Sequence, residues 1–148
     1  ILPSTTLANV NVEVNENLTL VDTPGILDES NIINYLEPDD LKKVMPRSEI
    51  RTISYQIRTK QTIFVDKFLR LDCEMYNNLT LYFSNKLNIE RTFGKSDNLL
   101  DLKRYDLIVF ENQDIVINGL GFIKVTHSGK ITLYTLPDVQ VFTRTALI

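Results

Sequence analysis

The sequence predicts an α+β chain in two unequal parts: a hairpin-and-helix module over residues 1–46, and a mostly antiparallel β-rich domain over residues 47–148. Three observations carry this. Ala8, Val10, Val12 and Val14 alternate with polar residues ahead of a second apolar stretch, Leu18 to Val21. Helix signals cluster between Ser30 and Pro46. From Ile50 onward, short alternating segments recur between Gly, Pro, Asn and Asp turn residues, the pattern of an antiparallel sheet, sandwich or barrel.

Period-two alternation over 8–14 marks a half-buried strand. Asn15-Glu16-Asn17 supplies the turn, and Leu18-Thr19-Leu20-Val21 returns as a strand ending at Asp22. Ser30 is the expected N-cap of a short helix carrying Ile32, Ile33 and Leu36. A second helix is expected over Glu37-Pro38-Asp39-Asp40-Leu41-Lys42-Lys43-Val44. Its Pro lies in the first turn, its acids come early and its lysines late, as the helix dipole favours. Pro46 stops it and sets the module boundary.

In the second part, Ile53, Tyr55 and Ile57 define one strand, and Thr59-Lys60-Gln61 is expected to turn the chain. Leu69, Leu71, Cys73 and Met75 form the apolar stripe of the next strand, followed by an expected Asn77-Asn78 turn and a strand with Leu79, Leu81 and Phe83. A helix is expected over 96–104, capped by Ser96, with Leu99, Leu100 and Leu102 as its apolar side. Asp114 to Asn118, Phe122 to Thr126, Ile131 to Leu136 and Val139 to Arg144 complete the strands.

The net charge of -3 conceals an asymmetry. Residues 1–41 carry eight acids and no Lys or Arg, whereas the rest holds all 16 basic residues against 11 acids, a balance of +5. Such a division hints at two modules with different partners, although an ordinary solvated surface with an acidic end has the same composition. One cysteine, Cys73, and one histidine, His127, exclude a disulfide framework and a Cys/His zinc site within the chain, and point to the cytoplasm. No apolar run is long enough to span a bilayer. The chain opens Ile1-Leu2-Pro3 without a Met, which suggests a piece of a longer protein.

Two motifs flank the first hairpin: Pro3-Ser4-Thr5-Thr6 before it and Asp22-Thr23-Pro24-Gly25 after it. A Thr hydroxyl on a loop can bind Mg²⁺ while its N–H meets a γ-phosphate. An Asp at a strand end can hold the ion from the other side, with a Gly N–H facing the phosphate where no side chain fits. Alone, D-x-x-G is a weak signal; two motifs around a hairpin favour a nucleotide switch. Against that stands the plainer reading of a hydroxyl-rich loop and an unrelated turn.

With these residues, and with Arg70-Leu71-Asp72, Gly119-Leu120-Gly121 and the terminal Val141-Phe142-Thr143-Arg144-Thr145-Ala146-Leu147-Ile148, the chain resembles the circularly permuted ribosome-assembly GTPases, specifically the YqeH family. The resemblance spans essentially the whole chain. It implies that residues 1–46 are the switch I, hairpin and switch II remnant of a P-loop G domain. It further implies that Thr5, Thr6, Asp22 and Gly25 serve the GTP γ-phosphate and that Thr6 and Asp22 hold Mg²⁺, with Thr5 as the alternative to Thr6. Ser4 departs from the Gly usual in the family.

The chain contains no G-x-x-x-x-G-K-[ST] loop, and Asn85-Lys86-Leu87-Asn88 lacks the carboxylate that guanine recognition needs. The resemblance puts both missing motifs before Ile1, so this chain by itself is expected to bind no GTP and to be inactive. Ile26 stands where many GTPases carry a water-orienting Gln, an arrangement expected to give slow intrinsic turnover stimulated by a partner.

The small ribosomal subunit or its RNA is the implied partner, together with the rest of the G domain. Arg58, Lys60, Arg70, Lys124 and Arg144 are the candidate RNA contacts, with Lys67, Arg91, Lys103 and Arg104 as further basic positions and Tyr55, Tyr76, Tyr82 and Tyr134 as candidate stacking rings. A response of the β-rich domain to switch II is expected through the connecting helix. His127 is read as a solvated turn residue and Cys73 as core packing. The rival reading is a non-enzymatic β-rich interaction module with no nucleotide role.

Overall fold

The computed structural model describes residues 11–15, 18–21, 28–46, 49–93 and 101–148. Strands β1 (Asn11–Asn15) and β2 (Leu18–Val21) form a separate antiparallel hairpin. Val12 pairs with Leu20 and Glu13 with Thr19, and the register shifts before Asn15 pairs with Leu18. The hairpin expected between the two motifs is therefore present. A 3₁₀ turn, Ile32–Tyr35, and helix α1, Pro38–Val44, follow. Asn31 caps the 3₁₀ turn by accepting from the Ile33 N–H at 3.0 Å, so the cap is one residue later than the expected Ser30. In α1, Pro38 stands at the start, Asp39 and Asp40 in the first turn and Lys42 and Lys43 in the last, as expected.

The remaining strands are β3 (Ile53–Ile57), β4 (Gln61–Val65), β5 (Leu69–Cys73), β6 (Asn77–Phe83), β7 (Ile89–Thr92), β8 (Lys103–Val109), β9 (Gln113–Ile117), β10 (Gly121–Val125), β11 (Gly129–Thr135) and β12 (Val141–Thr145). They form two five-stranded sheets, ordered β12-β9-β10-β6-β3 and β7-β4-β5-β11-β8, with every paired neighbour antiparallel. One core joins both sheets. Ile57, Leu79, Leu81, Ile115, Ile117, Ile123 and Val125 come from the first, and Ile63, Val65, Leu71, Cys73, Val109, Ile131 and Leu133 from the second. This is the mostly antiparallel β-rich domain expected from the alternation, in sandwich form.

Matching edges of the two sheets lie together. The Arg91 guanidinium of β7 is 4.9 Å from the Tyr55 ring of β3, and the Tyr105 hydroxyl of β8 donates to the Val139 carbonyl just before β12 at 3.0 Å. Tight corners take the left-handed backbone at Asp66, Asn112 and Asp138, residue types that tolerate positive φ.

Ile32, Ile33 and Val44 belong to the same core as the strands, so the segment carrying the 3₁₀ turn and α1 shares the sandwich interior. Lys67 and Asp40, 3.0 Å apart, further tie α1 to the β4–β5 turn, although an exposed lysine contributes little to such a pair.

Four expectations are corrected. The turn expected at Thr59-Lys60-Gln61 lies over residues 58–60, with Thr59 and Lys60 joining β3 to β4, but Gln61 opens β4, a buried strand that was not foreseen. Asn77 and Asn78 lie in β6; Asn77 instead directs its side chain into the β10–β11 corner, accepting from the N–H groups of Thr126 and His127 and donating to the His127 carbonyl. The helix expected to run to Arg104 does not reach Lys103 and Arg104, which begin strand β8; residues 96–100 lie outside the described residues. Met75, placed on the apolar stripe of β5, lies beyond the strand and is exposed, whereas Cys73 is core as expected.

Arg70 on β5 is fully enclosed. Its Nε donates to Asp72 Oδ1 at 3.0 Å and its Nη2 to Asp72 Oδ2 at 3.3 Å, while Thr62 Oγ1 donates to Asp72 Oδ1 at 2.7 Å. The guanidinium also stands 5.3 Å from the Tyr134 ring and 5.8 Å from that of Phe64. Removing one member of a buried ion pair leaves the other charge without its counterion. Asp72→Ala is expected to lower stability by about 3 kcal/mol, and urea denaturation measures it; Thr62→Val is expected to cost about 1 kcal/mol.

Candidate functional site

Thr5, Thr6, Asp22 and Gly25 lie outside the described residues. The structure does describe the hairpin between their motifs, whose β2 ends at Val21, and the chain that resumes three residues after Gly25, at Asp28. That resumed segment is tied to the sandwich, and this junction is the candidate functional site.

The β9–β10 turn supplies the receiving surface. Asn118 is buried and uses its main chain and its side chain together. Its amide nitrogen donates to Asp28 Oδ2 at 2.7 Å and to Ser30 Oγ at 3.0 Å, and its carbonyl accepts from the Ile32 N–H at 2.9 Å. Its own N–H donates to the Gln140 carbonyl at 3.0 Å, and the Gln140 N–H donates to the Ser30 carbonyl at 2.8 Å. Segment, turn and the β11–β12 connection are thereby closed into one hydrogen-bonded ring.

Within the segment, the Ser30 N–H donates to Asp28 Oδ1 at 3.0 Å and the Ser30 hydroxyl donates to the same oxygen. The Tyr35 hydroxyl donates to the Glu29 carbonyl at 2.6 Å. Ser30 thus serves the clasp instead of capping the helix.

Gly119 is required here. Its φ is +84°, and a Cβ at that position would lie 1.9 Å from Asn31 Oδ1, the atom that caps the 3₁₀ turn. The Gly119-Leu120-Gly121 motif singled out in the sequence is the seat of the segment after the Asp-Thr-Pro-Gly turn.

Hydrogen bonds from Ser30 and Asn118 hold the Asp28 carboxyl below its ordinary range against a smaller opposing effect of burial, the Ser30 hydroxyl being the largest cause. A carboxylate whose folded pKa is depressed contributes stability above its unfolded pKa and loses it as pH falls through the folded one.

The sequence-chosen basic residues are scattered. Arg58 is exposed and donates to Gln56 at 3.3 Å. Lys60 pairs with Glu74 at 3.0 Å. Arg70, offered as an RNA contact, is enclosed in the second sheet as described above.

Lys124 donates to the Ile148 carbonyl at 2.7 Å. Arg144 donates to the buried Asp114 at 3.1 Å and lies 5.0 Å from the Phe122 ring, which stacks on Tyr82 at 4.4 Å. Of the candidate stacking rings, Tyr82 is therefore already stacked and buried, and Tyr76 is exposed beside His127. Burial pushes the Cys73 thiol up, away from reactivity. Among the described residues no Cys, His, Asp and Glu cluster could hold a metal, and no helix is long and apolar enough to cross a membrane.

Asn118 and Asp28 were not singled out in the sequence, because a side-chain clasp across ninety residues leaves no local periodicity. The paired glycines 119 and 121 were the available signal.

No protein-family model matches the chain. Among curated proteins it is similar to the uncharacterised protein YqeH of Bacillus subtilis (strain 168), 26% identical over 171 aligned residues that cover 99% of this chain and 47% of that protein. The chain spans about half the length of this relative, and the similarity supports a YqeH-related family.

The clasp can be tested without any ligand. Asn118→Ala is expected to cost about 2 kcal/mol in urea denaturation, because the Asp28 carboxylate loses a charge-assisted bond and buried main chain is disturbed. Gly119→Ala is expected to cost at least as much through positive-φ strain and the Asn31 clash. The stability gap between wild type and Asp28→Asn is expected to be open at neutral pH and to close in acid below the carboxylate range; a gap that widened there would contradict the assignment.

Proposed function

We propose that this chain is the C-terminal part of a cytoplasmic GTP-binding protein that hydrolyses GTP and assists assembly of the small ribosomal subunit, its β-rich domain contacting RNA or protein. The observation that carries the reading is the order Pro3-Ser4-Thr5-Thr6, hairpin β1–β2, then Asp22-Thr23-Pro24-Gly25 directly after the last residue of β2. Similarity to YqeH along nearly the whole chain supports it.

In the intact protein Thr6 and Asp22 would hold Mg²⁺, with Thr5 as the alternative to Thr6. Threonine hydroxyl and aspartate carboxylate are hard oxygen donors of the kind that ion takes. The ion supplies charge neutralisation at the phosphates when bound; Thr5, Thr6 and Gly25 would position the γ-phosphate through hydroxyl and N–H groups. Ile26 offers no group to orient water, so a bound ion, another loop or a partner must do so.

The clasp gives this reading a physical route from nucleotide to β-rich domain. Three residues after Gly25 the chain is fastened to the β9–β10 turn, well before α1 begins. A change in the Asp22–Gly25 loop would therefore reach the sandwich at Asn118 first.

Fluorescent-GTP titration of the 148-residue chain is expected to show no binding, and measurable guanine-specific affinity would overturn the reading. In the longer protein, Asp22→Ala and Thr6→Ala are each expected to lower Mg²⁺-dependent hydrolysis on the order of a hundredfold. Asn118→Ala there is expected to keep GTP binding but to weaken the nucleotide dependence of ribosome binding.

A further inference from the structure

We propose that the seam where edge strand β3 lies against edge strand β7 is a binding surface for single-stranded RNA, with Arg91, Phe93 and Tyr55 receiving bases and Arg51 and Arg58 receiving phosphates. The proposal deepens the RNA contact of the preceding section and rests on it for the partner class, while the surface itself is read from the placement of the arginines.

Among the described residues, the arginines divide by position. Arg70, Arg104 and Arg144 are each held by an aspartate, at 3.0, 3.0 and 3.1 Å. Arg51, Arg58 and Arg91 hold no carboxylate among the described residues, and all three are exposed. Arg51 stands just before β3 and Arg58 just after it, so they bracket the edge strand. Arg91 lies on β7, opposite Tyr55 of β3. An arginine without an acid partner keeps its charge for an incoming anion, and the Arg58 bond to Gln56, 3.3 Å long, is to a neutral amide.

Exposed rings accompany them. The Arg91 guanidinium is 4.9 Å from the Tyr55 centroid and 5.8 Å from that of Phe93, whose side chain is 70% exposed. Ile53 on the same edge is also exposed. A planar cation beside two rings offers π-faces on which unpaired bases stack, a use that a phosphate ion or an acidic peptide does not make of Phe93. The opposite edge of the second sheet differs: β8 keeps Arg104 paired with Asp106. A double helix hides its base faces, so the chemistry selects unpaired strands.

The test is fluorescence anisotropy of the 148-residue chain with a labelled, mixed-sequence single-stranded RNA of about twelve nucleotides and its duplex, in ~50 mM salt and above. Phe93→Ala and Arg91→Ala are each expected to weaken single-strand binding roughly tenfold, and Arg58→Ala a few-fold with a salt slope shallower by about 0.7. Arg91→Lys is expected to recover the salt slope but only part of the affinity, because it keeps charge and loses the stacking plane. Lys130→Ala, on β11 away from the seam, is expected to bind as wild type. Thermal unfolding reports on folding, and Phe93→Ala alters a mostly exposed ring, so it remains informative if Arg91→Ala is unstable.

Wild-type binding that ignores every seam substitution would overturn the surface assignment. Failure of wild type to bind the single strand at low salt would instead overturn the RNA reading. Equal preference for duplex removes the stacking role, and a polyglutamate probe bound in the same Arg91- and Phe93-dependent manner would assign the seam to an acidic protein partner.

Discussion

The hydrogen-bonded ring through Asp28, Ser30, Asn118 and Gln140 is the constraint on which the order of the first half depends. A short 3₁₀ turn and a seven-residue helix are too small to be stable alone. They become ordered structure because Ile32, Ile33 and Val44 enter the sandwich core and because Asn118 fixes the point of entry. Burial supplies most of the stabilisation, about 1.5–3 kcal/mol for each such side chain. The clasp supplies the register. Hydrophobic contact alone would let the segment slide, whereas donors and acceptors on Asn118, Ser30 and Gln140 meet in one alignment only.

Asparagine does similar work at another corner. Asn77 holds the β10–β11 connection from the first residue of β6, as Asn118 holds the incoming segment from the end of β9. In each case a side-chain amide substitutes for ladder bonds where the chain leaves one sheet for another or docks against it. Buried polar groups need such partners, and a side chain with both a donor and an acceptor satisfies main chain of either sense.

This explains which features were legible in the sequence. The alternating segment Ile53–Ile57, the apolar stretch of Gly121–Val125 between its turn glycines, and the Pro-acid-lysine signature of α1 were readable because each is written in a short run of neighbouring residues. Strand β4 was not, since its inward position 61 is a buried Gln and its apolar residues run together as Ile-Phe-Val. Asn77 read as a turn because its side chain does in fact serve a turn, only one that lies fifty residues away. Arg70 and Asp72 read as solvent-facing because the alternation of β5 assigns them outward. They are enclosed because each neutralises the other, with Thr62 completing the carboxylate's bonds. Pairing is a property of two side chains and the strands beside them, which no single-strand pattern records.

The same distinction separates arginines that build the fold from those with capacity to spare. A count of basic residues treats Arg70, Arg144 and Arg91 alike, yet the first two are committed to Asp72 and Asp114. Replacing either would disturb the sandwich and lower any binding indirectly, so loss of binding there says little about contact. Arg91 sits on edge strand β7, whose outer side has no ladder partner among the described residues, and Phe93 follows the strand's last residue with its ring mostly in water. Edges of this kind invite unwanted strand pairing, and a bulky charged residue discourages it. Protection of the edge therefore accounts for the charge at Arg91. It does not account for a large exposed ring beside that charge, because Phe93 adds apolar surface where protection calls for less. The combination favours a ligand with both flat apolar faces and negative charge.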